Sequence, residues 1–387
     1  MNIYNYEGID IFSGVPKNAI IVIPNTTYLE KYPSIKDNPI FGCKKFQKTD
    51  YKLIKCTYDG EYHNITIKVN GTKGENINIL FNEFSSLPDY IEINNNETNY
   101  YELVSLVKLT ESGITTINLM WTKSFVSCEN MFQNCSSIIS IDLSDFNNLL
   151  INNTKNMFSG CTSLETINFT NFNTSKIKGM GGMFSNCSKL ESIDLSNFDI
   201  SSVEDMSFMF ANCISLKSIN ISSFITSNVK NMTSIFSNCE SITSLDISNF
   251  ETKSVIQMPY MFSNCINLTN LDLSTFNTSN VINMDSMFSG CSNLNSLDLS
   301  TFNTFNVINM DSMFSGCSNL NSLNLSTFYT PSLKNMNSMF SNCNSINRID
   351  MPNFETTEIN GTINLVFDNC SNMNYLNLLN YKNKNIF

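Results

Sequence analysis

The sequence predicts an α/β repeat solenoid carried behind a small α+β head, and three observations predict it. Cys135, Cys161, Cys187, Cys213, Cys239, Cys265, Cys291, Cys317 and Cys343 follow one another at intervals of 26 residues, with Cys370 one residue late. A period of that size marks coils that bury their apolar faces only against their neighbours. Behind each cysteine comes an alternating pair such as Leu271 and Leu273, or Leu297 and Leu299, which reads as a short half-buried parallel strand. Later in the unit Val281, Met284, Met287 and Phe288 stand at i, i+3, i+6 and i+7, the spacing of one face of a helix of about two turns.

Residues 1–113 do not follow the repeat and form the head. There a strand is expected at Ala19 to Ile23, a turn at Pro24, and a short helix capped by Thr27 with Glu30 three residues on. Alternation from Asn64 to Asn70, closed by a turn at Asn70 and Gly71, predicts a small β region. The array occupies 114–387 as about ten repeats. Counting back 26 residues from Leu143, Ile151 and Met157 reaches Ile117, Phe125 and Met131, so an imperfect first coil spans roughly Ile114 to Cys135. Cys128 then takes the place that Met180 and Met206 fill later, and Trp121, the only tryptophan, is expected to shield the open end of the core. After Leu376 and Leu378 the chain runs to Ile386 and Phe387 without a clear polar cap, which predicts an exposed edge.

Within the unit MFSGCSNLNSLDLSTFNTFNVINMDS, read from Met287, each column has a physical reason. Phenylalanine recurs at Phe146, Phe172, Phe198, Phe224, Phe250, Phe276, Phe302, Phe328 and Phe354, which predicts an aromatic spine. Only Asn or Gly precedes the cysteine, from Asn134 and Gly160 to Asn342 and Asn369. Both accept positive φ, so this column is expected to be the left-handed residue that ends each helix. Met180, Met206, Met232, Met258, Met284, Met310 and Met336 are read as core filling between helix and sheet rather than as a soft-metal face.

The string C-x-x-L-x-x-L-D-L-S-x-F-x-T-S-x-V-x-x-M-x-x-M-F, covering about Cys128 to Leu378, resembles the BspA-type leucine-rich surface repeat in its mycoplasma-type surface-protein variety. The head segment VPKNAIIVIPNTTYLEKYP also resembles the closing segment of such arrays. The resemblance implies a curved, right-handed, leucine-rich-repeat-like coil, a place on the cell surface, and adhesion or binding of host matrix proteins. It implies no enzyme activity and no fixed binding residues.

Composition narrows the chemistry. A net charge of −11 argues against nucleic acid or an anionic membrane as main partner, since both require basic patches. No apolar run reaches the length of a membrane span, and the start MNIYNYEGIDIFSG lacks the basic and apolar regions of a secretory signal, so a cytoplasmic place stands as the alternative to the surface. The cysteines read as a reduced, buried column, because stacked coils hold their Cβ vectors parallel. With no C-x-x-C and His63 as the only histidine, neither metal nor cofactor is expected. Cys43 and Cys56 are the pair an oxidising compartment could join.

Between the strand leucines stands an outward column whose acidic members are Asp142, Asp194, Asp246, Asp272, Asp298 and Asp350. On a curved array these would form a ridge on the inner face, where solenoids usually bind partners. The competing reading is a solvated ladder of Asp and Asn. Thr226, Thr252, Thr278, Thr304, Thr330 and Thr356 make a second ladder, read as hydroxyls satisfying turn backbone rather than as an ice-binding face. Asn25, Asn64, Asn70 and Asn96 stand in glycan sequons that would matter only after secretion in a eukaryote. The expected function is a non-enzymatic surface adhesin holding a protein or glycan ligand on the acidic ridge. The alternatives are an intracellular scaffold and, remotely, a polysaccharide-acting solenoid enzyme, which would need a break in the columns where acids and bases converge.

Overall fold

The computed structural model describes residues 63–88, 90–94, 105–121, 124, 126–146, 148–355 and 366–377, together with the backbone of three short strands before them. The chain divides into two compact units, Met1–Tyr62 and His63–Phe387. In the first, β1 (Ile21–Val22), β2 (Cys43–Lys48) and β3 (Leu53–Tyr58) form an antiparallel sheet in the order β1-β3-β2. β1 lies inside the strand expected at Ala19 to Ile23, whereas the turn at Pro24 and the helix capped by Thr27 fall outside the described residues. Cys43 pairs with Tyr58 and Cys56 with Phe46 in the backbone register, and the side chains of both cysteines lie outside the described residues.

The second unit begins with β4 (His63–Gly71), β5 (Asn76–Asn78), β6 (Tyr90–Ile93), β7 (Leu106–Lys108) and β8 (Gly113–Trp121). The alternation that predicted a strand at Asn64 to Asn70 is seen in β4, where Ile65, Ile67 and Val69 are fully buried. The turn comes later than expected. Asn70 and Gly71 still pair with Ile114 and Gly113, and the chain reverses at Thr72–Glu75 instead. β4 lies between β8 and β9 (Ile138–Asp142) and runs antiparallel to both, so it, and not the strand bearing Ile117, abuts the first regular coil. Trp121 is buried there; its indole N–H donates to the Ser86 carbonyl at 2.6 Å and its ring meets Phe146 edge on at 6.3 Å. Phe125 lies outside the described residues.

β9 continues in parallel register to β10 (Thr166–Asn168), residue on residue at intervals of 26, as in Ile141 on Ile167. β11 (Ser192–Asp194) pairs likewise with β12 (Ser218–Asn220), and β13 (Ser322–Asn324) with β14 (Arg348–Asp350) and then β15 (Tyr375–Asn377). The intervening coils, through Leu245, Leu271 and Leu297, pass the same place without strand pairing. Leu378, Ile386 and Phe387 lie outside the described residues.

The short helix expected in each repeat is absent: the described residues contain no helix, and the array is a β-solenoid. Where the helix was placed, the chain makes successive tight turns. The N–H groups of Cys291 and Ser289 return to carbonyls three residues back, Phe288 and Ser286, at 3.1 Å each. Those of Met284, Ser286, Phe288 and Gly290 leave the coil and donate to Asn309, Asp311, Met313 and Ser315 of the next one, at 2.7–2.9 Å. A second parallel ladder therefore runs down this side, continuing through bridges that join Ser127, Asn153, Gly179, Asp205, Asn231, Gln257, Asn283, Asn309 and Asn335. A helix would have closed those donors within itself. Two turns of helix are marginal on their own, and an inter-coil ladder satisfies the same groups while holding the stack together.

The Asn or Gly column before the cysteine does have positive φ, 57–75° from Asn134 to Asn369, although it ends a turn and not a helix. A second left-handed column, four residues earlier, was not foreseen: Asn130, Asn156, Gly182, Phe208, Ser234, Tyr260, Ser286, Ser312 and Ser338.

All inward columns are buried as one core, including the Met180 to Met336 column and the Phe146 to Phe354 spine. A second phenylalanine column stacks face to face from Phe132 through Phe158, Phe184, Phe210, Phe236, Phe262, Phe288, Phe314 and Phe340 to Phe367, with centroids 5.4–6.0 Å apart. From Cys161 onward each column thiol also donates to the carbonyl of this phenylalanine one coil back, as Cys291 does to Phe262 and Cys317 to Phe288, both at 3.1 Å, whereas the Cys135 thiol faces the Gln133 carbonyl of its own coil.

The threonine ladder is buried and ties coil to coil. Thr278 Oγ1 donates to the Asn303 carbonyl at 2.9 Å and accepts the Asn303 N–H at 2.8 Å, and Thr226, Thr252 and Thr330 do the same to Glu251, Asn277 and Glu355. These hydroxyls serve backbone and are not available to ice; Thr356 lies outside the described residues. Thr278→Val should leave both Asn303 groups without their partner and cost about 1–3 kcal/mol, read as a lower urea midpoint at unchanged m-value.

Candidate functional site

Five of the six Asp of the outward strand column are fixed by the chain that follows them; Asp350 is the exception, because Pro352 two residues on has no N–H to give. Asp142, Asp194, Asp246, Asp272 and Asp298 each accept, through Oδ1, the backbone N–H two residues later, at 2.9–3.1 Å. Asn168, Asn220 and Asn324 make the same turn with Thr170, Ser222 and Ser326. That shared turn explains why Asp and Asn exchange along the column, since both offer the oxygen an Asx-turn needs. Asp alone adds charge. The Ser196, Ser274 and Ser300 amides, and for Asp246 chiefly the Ser248 hydroxyl, hold the carboxyls of Asp194, Asp272, Asp298 and Asp246 below the usual range. Neighbouring Asp272 pushes Asp298 weakly the other way. The four are exposed and ionised at neutral pH; the Asn220 side chain also meets Asp194, while Asp246, Asp272 and Asp298 keep Oδ2 for solvent.

Toward the ends of the array the ridge is muted. Asp142 accepts from Asn168 Nδ2 at 3.0 Å, Asp350 accepts from Asn377 Nδ2 at 2.7 Å, and Arg348 Nη2 stands 3.0 Å from Asp350 Oδ2 while its guanidinium lies 4.0 Å over the Tyr375 ring. Asp246, Asp272 and Asp298 are thus the consecutive, uncompensated stretch of the six.

Two other features lie outside the predicted ridge. One column carries Lys178, Glu204 and Lys230, with Lys230 Nζ 2.7 Å from Glu204, and then turns apolar at Ile256, Ile282 and Ile308. The left-handed column of the turn side carries Phe208 and Tyr260, 48% and 41% exposed, at φ of 59° and 58°. A bulky residue held at positive φ costs on the order of 1–3 kcal/mol, and burial returns little of it for rings half in solvent. The sequence signal for these two was only that the aromatics interrupt a column otherwise made of Asn, Gly and Ser.

Among the described residues no catalytic constellation emerges. Among the described residues no three His, Cys, Asp or Glu side chains are grouped so as to hold a metal ion. Ser124 Oγ lies 3.0 Å from His63 Nε2, but the buried Nδ1 of His63 has no hydrogen-bond partner and so lacks the orienting group of a nucleophile and base pair. A shallow depression of about 290 Å³ beside Ser144, Phe146 and Asn148 brings no acid and base together. Among the described residues no helix is long and apolar enough to cross a membrane.

A family model described as "Mycoplasma protein of unknown function, DUF285" matches residues 126–245, 193–297 and 266–381. No curated protein matches the chain. Among solved structures, the one titled "Crystal structure of TLR13-ssRNA13 complex" is 15% identical over 67% of this chain, with a TM-score of 0.20. The match spans 46% of that protein's length, and so low a score carries no argument about fold or ligand.

Proposed function

The chain belongs to the family described as Mycoplasma protein of unknown function, DUF285, and we propose that it is a non-enzymatic interaction protein of the cell surface, an adhesin whose acidic ridge takes a protein or glycan partner rich in cationic or hydrogen-bond-donor groups. The observation that carries this reading is the run of Asp246, Asp272 and Asp298, one per coil, each with one oxygen fixed by the following amide and the other turned to solvent. Charges held in position and repeated at the coil spacing favour an extended partner with matching periodicity.

Alanine is a poor probe of the ridge, because it would remove the acceptor of the Asx-turn together with the charge. Asparagine keeps the turn, as Asn220 and Asn324 do naturally. Asp246→Asn, Asp272→Asn and Asp298→Asn combined should leave the thermal transition unchanged and weaken an oligolysine peptide roughly tenfold, at about 0.5 kcal/mol for each exposed pair. Removing equal charge off the ridge, at Glu165, Glu240 and Glu251, should change the affinity far less. Equal effects of the two sets would move the site elsewhere.

Display at the surface is tested by protease shaving of intact source cells followed by detection of the repeat region. Loss of the signal supports the adhesin. Protection until lysis would favour the intracellular scaffold, the reading with which a column of free buried thiols agrees.

A further inference from the structure

The turn-side column that carries Phe208 and Tyr260 has the shape of a slot. Backbone bonds from Phe208 N–H to Thr233, Ser234 N–H to Pro259 and Tyr260 N–H to Asp285, at 2.8–2.9 Å, set 208, 234 and 260 on successive rungs of the inter-coil ladder. The backbones that carry the two rings therefore stand two strand spacings apart, about 9.6 Å. Ser234 between them is only 6% exposed, so each ring rises beside a recessed floor. At the same position other coils place Asn130, Asn156 and Gly182, which suit a left-handed backbone, or the small Ser286, Ser312 and Ser338. Two exposed aromatics have instead been set where the backbone least favours them, and strain of that kind points to use.

Next to Tyr260 lies a pair of acids. Asp285 interacts with the Tyr260 hydroxyl and Asp311 is near enough to act on it. Asp285 accepts from the Ser286 hydroxyl at 2.8 Å, and Asp311 accepts from the Asn337 amide N–H and Nδ2 at 2.6 and 3.1 Å. Among the described residues neither carboxylate pairs with a lysine or arginine.

We propose that this slot binds a proline-rich peptide in the polyproline II conformation, with prolines one turn apart on Phe208 and Tyr260 and a flanking basic residue at Asp285 and Asp311. A polyproline II helix repeats every three residues, about 9.3 Å, close to the two-rung separation of the backbones from which the rings rise. Its rigid form and rows of proline rings suit exposed aromatic platforms. The acids beside one ring supply polarity and a direction for the peptide, and favour it over a neutral glycan chain. The inference rests on the reading of the chain as an interaction protein, but the slot is on the turn side and is separate from the strand ridge.

The test is titration of the full chain with a fluorescent oligoproline peptide ending in two arginines, and with its counterpart ending in two glutamates. The arginine peptide should bind and the glutamate peptide should bind more weakly. Phe208→Asn and Tyr260→Ser, residues the column itself uses, should each lose roughly tenfold or more in affinity, the scale of one aromatic anchor, while melting at or above the parent temperature. Asp285→Asn should weaken the arginine peptide only. The triple Asn variant of the ridge should bind the peptide like the parent, so failure of the ridge and failure of the slot are separately visible. Binding of neither peptide, variants that bind as the parent does, or lower melting temperatures for both ring variants would overturn the proposal. Binding of an extended neutral oligosaccharide with no peptide binding would overturn it in favour of a carbohydrate.

Discussion

Raising the pH beyond 9 is expected to unfold the array within about one pH unit. Burial is the main cause that pushes the thiols of Cys135, Cys213, Cys291 and Cys343 up to about 12 from an ordinary value of 9.0, and it raises Cys161, Cys187, Cys239, Cys265 and Cys317 as well. A group whose folded value is raised contributes stability that is whole below its unfolded value and is lost as the pH climbs toward the folded one. The unfolded chain then releases its thiol protons while the folded chain keeps them. One unit above the ordinary value this amounts to about 1.4 kcal/mol for each thiol, so the nine column cysteines together reach roughly 13 kcal/mol. That equals the whole stability of an ordinary domain. The folded form also needs the proton for a bond, because from Cys161 onward each S–H donates to a phenylalanine carbonyl one coil back. Urea titrations at stepped pH should therefore show stability falling ever more steeply above 9. With Cys239, Cys265 and Cys291 replaced by alanine, the limiting slope should flatten by about 4 kcal/mol per pH unit. An unchanged slope would show that the column does not drive alkaline unfolding.

What could be read beforehand was periodicity, and what could not was hydrogen bonding. The 26-residue spacing of Cys135 to Cys343 located every inward column, because a solenoid repeats its contacts as faithfully as its sequence. Phe276, Met284 and Cys291 are buried as their columns required. The helix failed because i, i+3, i+6 and i+7 states only which side chains turn the same way. Consecutive tight turns bring Val281, Met284, Met287 and Phe288 to the core as well as a helix would, while the N–H groups of Met284 and Phe288 go to the next coil and those of Val281 and Met287 turn back to Thr278 and Met284. The decisive residue is Ser286, at φ 53°, in the middle of the expected helix. Its column opens with Asn130, Asn156 and Gly182 but continues as Phe208, Ser234, Tyr260, Ser286 and Ser312, and that later series does not announce a left-handed backbone. In the Asp column the sequence showed position but not purpose. That Asp246 and Asn220 both close an Asx-turn became visible only with the amides of Ser248 and Ser222 in place.

Phe288→Ala should open the array at its centre. The ring is fully buried and stacks on Phe262 and Phe314 with centroids 5.7 Å away on each side. Its removal loses the transfer energy of the side chain and leaves a cavity, about 3–5 kcal/mol, and interrupts two ring pairs worth roughly 0.5–1.5 kcal/mol each. The neighbours cannot close the gap, because Phe288 N–H is bonded to the Met313 carbonyl and the ladder fixes the coil spacing on both sides. In a one-dimensional stack each coil depends on the two it touches, so the damage should spread along the array and lower the cooperativity of unfolding. Phe367→Ala should cost less, since among the described residues its ring stacks on one neighbour only, Phe340, and is partly exposed. Hydrogen exchange separates the cases. For Phe288→Ala the amides from the Phe262 coil to the Phe314 coil should lose protection together, with the Phe158 coil spared. Loss confined to the substituted coil would mean that the coils are more independent than the continuous ring stack implies.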